Sequence, residues 1–221
     1  MPPSVIQLDD ALAKIGLSSP VSEDPARSVK SSFVYRNRMI VTGISIGAGL
    51  VLLSFQRPWP RQNPALEWCV ELIGWVLFWS GAIIRIWAST YICASKSRSV
   101  VSTGPYSLCR NPLYWGTFLM LSGFPFLIRN PWLALFLVPP IGLYLWGVVP
   151  VEELVMKTIH GAEYEAYCRK VPRWCPRFSG YARGEALDGH AVGYYRECLR
   201  LFWWLGFAIT LDLLFRYLEI S

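Results

Sequence analysis

The sequence predicts an all-α integral membrane protein with about five transmembrane helices, on three observations. Of its 221 residues 53% are hydrophobic and only 16% charged, with 11 tryptophans, a balance too apolar for an ordinary soluble domain. Apolar runs recur along the chain, and crossing about 30 Å of hydrocarbon takes roughly 20 such residues in a helix. Most of the basic residues lie in the flanks of those runs, as membrane topology demands. The net charge of +6 therefore points away from nucleic acid and toward membrane surfaces.

Residues 1–38 form a polar cytoplasmic lead in which "DDALAKIGL" can make one short amphipathic helix, and no secretory signal pattern is present. The first span is "MIVTGISIGAGLVLLSF" (39–55). Its Gly43 and Gly47 are a small-x-x-x-small pair suited to close helix contact, a spacing that general tolerance of Gly in membrane helices explains equally well. "FQRPWPRQNP" is a Pro-rich loop that cannot stay helical. The second span, 69–92, contains Arg85; an unpaired charge there costs about 2.5–3.5 kcal/mol, so Arg85 should snorkel or face a polar cavity. The third (114–128) and fourth (132–151) spans are separated only by Arg129-Asn130-Pro131, which makes them an antiparallel hairpin. Pro139-Pro140 should kink the fourth. The fifth span, 199–220, carries Asp212, which either makes an interhelical contact or lies near enough to the end to reach water. Residues 39–221 thus read as one transmembrane domain.

Lys and Arg are far denser in 1–38, 96–113 and 152–200 than on the opposite side, which has Arg57, Arg61, Arg129 and Arg216. The N-terminus is therefore expected in the cytoplasm, with the chain in a bacterial inner membrane or the endoplasmic reticulum. Six cysteines without C-x-x-C spacing and two histidines predict free thiols and no Cys/His metal site. His160 and His190 are isolated and read as structural or solvated. Composition sets no oligomeric state.

The hairpin brings chemistry-bearing residues together. Arg110, Asn111, Tyr114 and Gly116 lie where the third span starts, and Glu152 and Glu153 lie where the fourth returns to the same side. A polar site with apolar walls suits a charged soluble cofactor meeting a lipid-like substrate. The same residues would also serve as an Arg/Glu pair anchoring helix ends.

"TGPYSLCRNPLYWG" and "EELVMKTIHGAEYEAYCRKVPRWCPRF" together resemble the T-G-P-Y-x-x-x-R-H-P-x-Y-x-G and E-E-x-x-L...G-x-E-Y-x-x-Y...V-P-x-x-x-P motifs of membrane methyltransferases, the family that includes isoprenylcysteine carboxyl methyltransferases and phospholipid methyltransferases. The resemblance covers roughly residues 100–178. It implies methyl transfer from S-adenosylmethionine to a lipophilic acceptor, an isoprenylcysteine-like carboxylate or a lipid head group. By the same resemblance Arg110, Asn111, Pro112, Tyr114, Gly116, Glu152, Glu153, Tyr164 and Tyr167 would bind cofactor. Beside these, Arg110, Glu152, Glu153 and Arg173 are the candidate catalytic residues, and the basic neighbours Lys170 and Arg169, with Arg85 of the second span, are the candidate contacts to the acceptor. Gly116 is expected to let the cofactor approach backbone.

Two positions depart from the family. Asn111 stands where the family has His, so a hydrogen-bonding side chain remains and a titratable one is lost. Lys170 stands where isoprenylcysteine-type members carry Arg, and the two are not equivalent toward a carboxylate. Alignment alone can supply on the order of 7–11 kcal/mol of a displacement barrier. A carboxylate acceptor then needs no base, whereas an amine or phenol would have to lose its proton to Glu152, Glu153 or a Tyr. The rivals are a lipid or sterol reductase using a nicotinamide cofactor and a non-catalytic membrane protein. "CRKVPRWCPRFSGYAR" is basic enough to attract anionic headgroups, at about 1 kcal/mol per Lys or Arg.

Overall fold

The computed structural model describes residues 33–53, 63–95, 99–184 and 191–220. The amphipathic stretch of the N-terminal lead, the Pro-rich loop with Arg57 and Arg61, and His190 lie outside these residues. All regular structure among the described residues is helical, without a strand: α1 (Phe33–Leu53), α2 (Pro64–Ser95), α3 (Pro105–Leu108), α4 (Pro112–Leu127), α5 (Leu133–Gly142), a π turn (Leu143–Val148), α6 (Val149–His160), α7 (Ala162–Lys170), a 3-10 turn (Phe178–Gly180) and α8 (Ala191–Ile220).

Each predicted apolar run, as far as its residues are described, falls on a helix, the fourth on α5, the π turn and the start of α6 in continuous succession. Among the described residues two stretches are long and apolar enough to cross a membrane, Pro64–Ile92 and Leu133–His160, with Ile40–Leu52 a shorter apolar helix. Pro139 and Pro140 lie inside α5, immediately before the π turn. A proline removes one i→i−4 bond and crowds the preceding turn, and a π segment is one way a helix accommodates such a break.

α2 begins at Asn63, whose Oδ1 accepts from the N–H groups of Ala65 (3.1 Å) and Leu66 (3.3 Å), satisfying donors the first turn leaves open. α2 and α4 run antiparallel and mate through glycines. A Cβ on Gly116 would sit 2.6 Å from the Gly81 carbonyl oxygen, and one on Gly123 would sit 2.7 Å from that of Gly74. The absent side chains let the two backbones touch, which is how membrane helices gain packing without a hydrophobic driving force. A Cβ on Gly43 or Gly47 would meet nothing within 4 Å, whereas on α1 one at Gly49 would sit 2.8 Å from Phe136 Cγ of α5. The Ser45 hydroxyl of α1 also donates to the Phe136 carbonyl at 2.6 Å.

The core sits where α2, α4, α5 and α8 meet, around Phe78, Met120, Phe124, Leu127, Leu137, Ala208 and Leu211. Phe78 and Phe124 meet edge to face at 6.1 Å, and Trp204 and Phe207 of α8 close on Phe124 at 6.0 and 5.8 Å. Outward faces are apolar too: Ile44, Leu72, Ile83, Leu135, Trp146 and Trp203 are all exposed. The α4–α5 turn places Arg129 at φ 52 and pairs it with Glu67 at 3.1 Å.

Arg85 is buried and paired rather than reaching out of the bundle. Its Nε and Nη2 donate to Glu197 of α8 at 2.8 and 2.5 Å, and Nη1 donates to the Thr117 hydroxyl and, at 3.4 Å, to the Leu113 carbonyl. Asp212 makes both an i,i+4 pair with Arg216 (3.0 Å) and, through it, a link to Glu71 on α2 (2.6 Å).

Candidate functional site

The site is assembled where α4 starts, where α6 starts and where the chain leaves α7. Gly104, at φ 58, turns the chain into α3, and its N–H donates to the Ala182 carbonyl at 2.8 Å. The backbone N–H of Arg110 donates to Pro172 (2.9 Å) and that of Arg177 to Leu108 (3.0 Å). These bonds stitch the segment after α7 onto the loop before α4. Pro112 occupies the first turn of α4, where its missing N–H costs nothing and its fixed φ favours the helix. Gly161, at φ 51, ends α6 and turns the chain into α7, a conformation that favours glycine.

Glu153 is the meeting point. Its Oε2 accepts from Arg110 Nη1 (3.3 Å) and from Arg173 Nε (2.9 Å) and Nη2 (2.5 Å), while Oε1 accepts from Asn111 Nδ2 (3.2 Å). Asn111 Nδ2 also donates to the Arg173 carbonyl at 3.3 Å. Asn111 therefore works as a hydrogen-bonding bridge, which an amide performs as well as an imidazole. Tyr114 donates to Glu152 Oε2 at 2.9 Å. Its ring lies 5.5 Å from Tyr144 in the π turn and 6.4 Å from Phe118, which is 6.0 Å from Trp174. An aromatic file thus descends from the polar centre along α4.

A cleft of about 420 Å³ opens beside this centre, lined by Arg110, Glu153, Tyr164, Cys168 and Arg173, with Pro150 and Leu154 as its apolar wall. Its more exposed side carries Lys157, Glu165 and Arg169. Lys157 and Glu165 pair at 2.8 Å, and the ammonium holds the Glu165 carboxyl below its ordinary range. Four cations face two carboxylates, both already paired, so the cleft favours an anionic group. Arg110 also donates to Cys168 Sγ at 3.0 Å and keeps a buried Nε without a partner. Burial, reinforced by the Glu153 charge, pushes the Tyr164 phenol well above its usual value; it stays protonated at neutral pH and cannot act as a base.

Arg110, Asn111, Glu153, Tyr164 and Arg173 come together, with Tyr114 and Glu152 alongside and Arg169 on the cleft's outer side. Lys170 is exposed at the end of α7. A Cβ at Gly116 would meet Arg85 Cγ at 2.5 Å, so the bare backbone there is used in α2–α4 packing. The Arg85 donors are turned to Glu197 and α4. Tyr167 is buried with its hydroxyl on the Tyr106 carbonyl at 2.7 Å, and burial raises its pKa too. Sequence reasoning missed Lys157 and Cys168, though each lies four residues after an expected site residue, Glu153 and Tyr164, on the same helix face.

Comparison with known proteins bears on this arrangement directly. Residues 69–163 match the phospholipid methyltransferase family. The resemblance carried by the two motifs is borne out over that segment. The methyltransferase-family segment runs from α2 into α7, so it holds Arg110, Asn111, Tyr114, Glu152 and Glu153 and stops just before Tyr164. Together with the apolar helices it points to a membrane methyltransferase. Two bacterial proteins are similar over longer stretches. The nickel-cobalt-cadmium resistance protein NccN of Alcaligenes xylosoxydans xylosoxydans is 26% identical over 188 residues, 85% of this chain and 87% of that protein. The cobalt-zinc-cadmium resistance protein CzcN of Cupriavidus metallidurans is 27% identical over 128 residues, 58% of this chain and 59% of that protein. No solved structure matches the chain significantly.

Proposed function

We propose that this protein transfers a methyl group from S-adenosylmethionine to a lipophilic, membrane-held acceptor. The observation that carries the proposal is the single carboxylate, Glu153, on which α4, α6 and the segment after α7 converge beside a cleft of about 420 Å³, a volume within the range of small-molecule sites. The residues suit the cofactor. Arg110, with a buried Nε still unpartnered, Arg169 and Arg173 would take its carboxylate, Glu152 its ammonium or ribose hydroxyls, and Tyr164 would pack against its adenine. When bound, the cofactor supplies a methyl group on a cationic sulfur, which aromatic faces such as Tyr114 also favour.

The protein's own part is alignment. Tyr164 is held protonated and Glu153 is held by three donors, so neither is set up to remove a proton. That arrangement favours an acceptor that is already an anion, a carboxylate above a lipid amine. In this reading all five apolar helices cross the bilayer, the cleft opens on the cytoplasm, and the aromatic file Tyr144, Tyr114, Phe118, Trp174 lines the acceptor's approach. The names of NccN and CzcN add a setting: methylation of a membrane component under nickel, cobalt or cadmium stress, which growth of a deletion strain on those metals would test.

The first experiment is calorimetric titration of S-adenosylhomocysteine into detergent-purified protein, with Glu152→Ala/Glu153→Ala beside it. Binding by the wild type and its loss in the variant are expected. Folded wild-type protein that ignores the ligand would overturn the cofactor assignment and turn attention to nicotinamide cofactors.

A further inference from the structure

Residues 169–184 carry Arg169, Lys170, Arg173, Arg177 and Arg183 and no acidic residue. Arg173 is committed to Glu153, but Lys170, Arg177 and Arg183 are exposed and make no ion pair among the described residues. Beside them Phe178 is 77% exposed and Tyr181 49%. This segment is held in place: Arg177 N–H bonds Leu108, Ala182 N–H bonds the Ser107 hydroxyl at 2.9 Å, and Gly104 N–H bonds Ala182.

Its height along the bundle is also defined. Tyr181 lies 6.3 Å from Trp87, and Tyr91 donates to the Gly184 carbonyl at 3.4 Å. The apolar stretch of α2 extends to Ile92, five residues beyond Trp87, which is about 7.5 Å of helix rise. Tyr181 therefore sits below the apolar end of α2, at the depth where amphipathic elements enter the boundary between headgroups and acyl chains.

We propose that residues 169–184 form a fixed interfacial plate that binds anionic phospholipid headgroups, with Phe178 and Tyr181 among the acyl chains and Arg177 and Arg183 on the phosphates. A bilayer is the occupant that matches both halves of this surface, because the cations would suit any anion but the exposed rings require an apolar phase next to it. The plate covers the start of α4 through its bonds to residues 104–110, so lipid binding there would sit next to the cleft without occupying it.

The test uses the full-length protein in mild detergent and fluorescent short-chain phosphatidylglycerol and phosphatidylcholine as probes. Phosphatidylglycerol is expected to bind about tenfold or more tighter. Arg177→Gln/Arg183→Gln should erase that preference, whereas Arg177→Lys/Arg183→Lys should keep it, because headgroup attraction needs charge and not a planar fork. Phe178→Ser should weaken both lipids alike. Equal affinity of the wild type for the two lipids overturns the proposal, and so does a preference that survives removal of both charges. Displacement of phosphatidylglycerol by equimolar inorganic phosphate would overturn the bilayer reading in favour of a soluble-anion site.

Discussion

Arg85 and Glu197 lie 2.5 Å apart with both side chains buried, joining α8 to α2 and, through Thr117 and Leu113, to the first turns of α4. α8 lies beyond the family-matched segment, yet this pair ties it to the helix that carries Asn111 and Tyr114. Removing one partner strands a charge in an apolar bundle. Glu197→Leu is expected to cost about 3–5 kcal/mol in chemical denaturation, and Arg85→Met/Glu197→Leu to recover most of it. A double variant as unstable as the single one would mean that Arg85 is needed for its bonds to α4.

Glu153 takes charge-assisted bonds from two arginines, and Glu152 takes one from Tyr114. Glu153→Gln retains the shape but removes the charge that holds Arg110 and Arg173 in position, so S-adenosylhomocysteine affinity should fall at least about tenfold, the scale of one charged hydrogen bond. Glu152→Gln should cost less. Wild-type affinity in both variants, measured by calorimetry, would sink the role given to the carboxylates.

Asn111 stands at the family's His position and bridges Glu153 to the Arg173 carbonyl. Asn111→His should keep ligand affinity, since an imidazole N–H can donate to Glu153. Asn111→Leu removes the donor entirely and should weaken binding about tenfold. Equal affinities in the wild type and the Leu variant would show that the bridge does not shape the site.

Gly116 separates two accounts of the first motif. If packing is its purpose, Gly116→Ala should destabilise the protein by about 1–3 kcal/mol, because a Cβ meets Arg85 and the Gly81 carbonyl. An unfolding midpoint that does not move, together with lost S-adenosylhomocysteine binding, would return Gly116 to the cofactor.

Burial pushes the Cys109 thiol up to about 11, against an ordinary value of 9.0, while Cys175 is exposed. Alkylation at pH 8 should therefore label Cys175 well before Cys109 in native protein. Because the folded-state value is raised, the protonated thiol stabilises the fold fully below pH 9, and that contribution is lost as pH rises through about 11. Comparable labelling rates at pH 8 would contradict the burial of Cys109.

Helix content and the apolar runs were legible because hydropathy is additive along the chain, and convergence at the hairpin ends followed from a three-residue connector that leaves no other arrangement. Glycine contacts were not legible, for the opposite reason. Gly43 and Gly47 carry the familiar spacing, yet a Cβ on either would meet nothing within 4 Å, while Gly74 and Gly81 find Gly123 and Gly116 through a match between two helices that neither segment reveals alone. Arg85 shows the same limit. The cost of its charge was evident in the sequence, but its partner is 112 residues away on α8.

By itself, then, the sequence determined an all-helical, membrane-suited chain, the family of its central segment and the residue types gathered at one end of a hairpin, because composition, periodicity and motif spacing are local properties. Only the tertiary structure decided which glutamate is the hub, that Gly116 lies against α2 and Arg85 pairs with α8, and that the segment after α7 closes over the start of α4. Those outcomes depend on distances between residues far apart in the chain, and such distances are set by packing and by the pairing of buried charge.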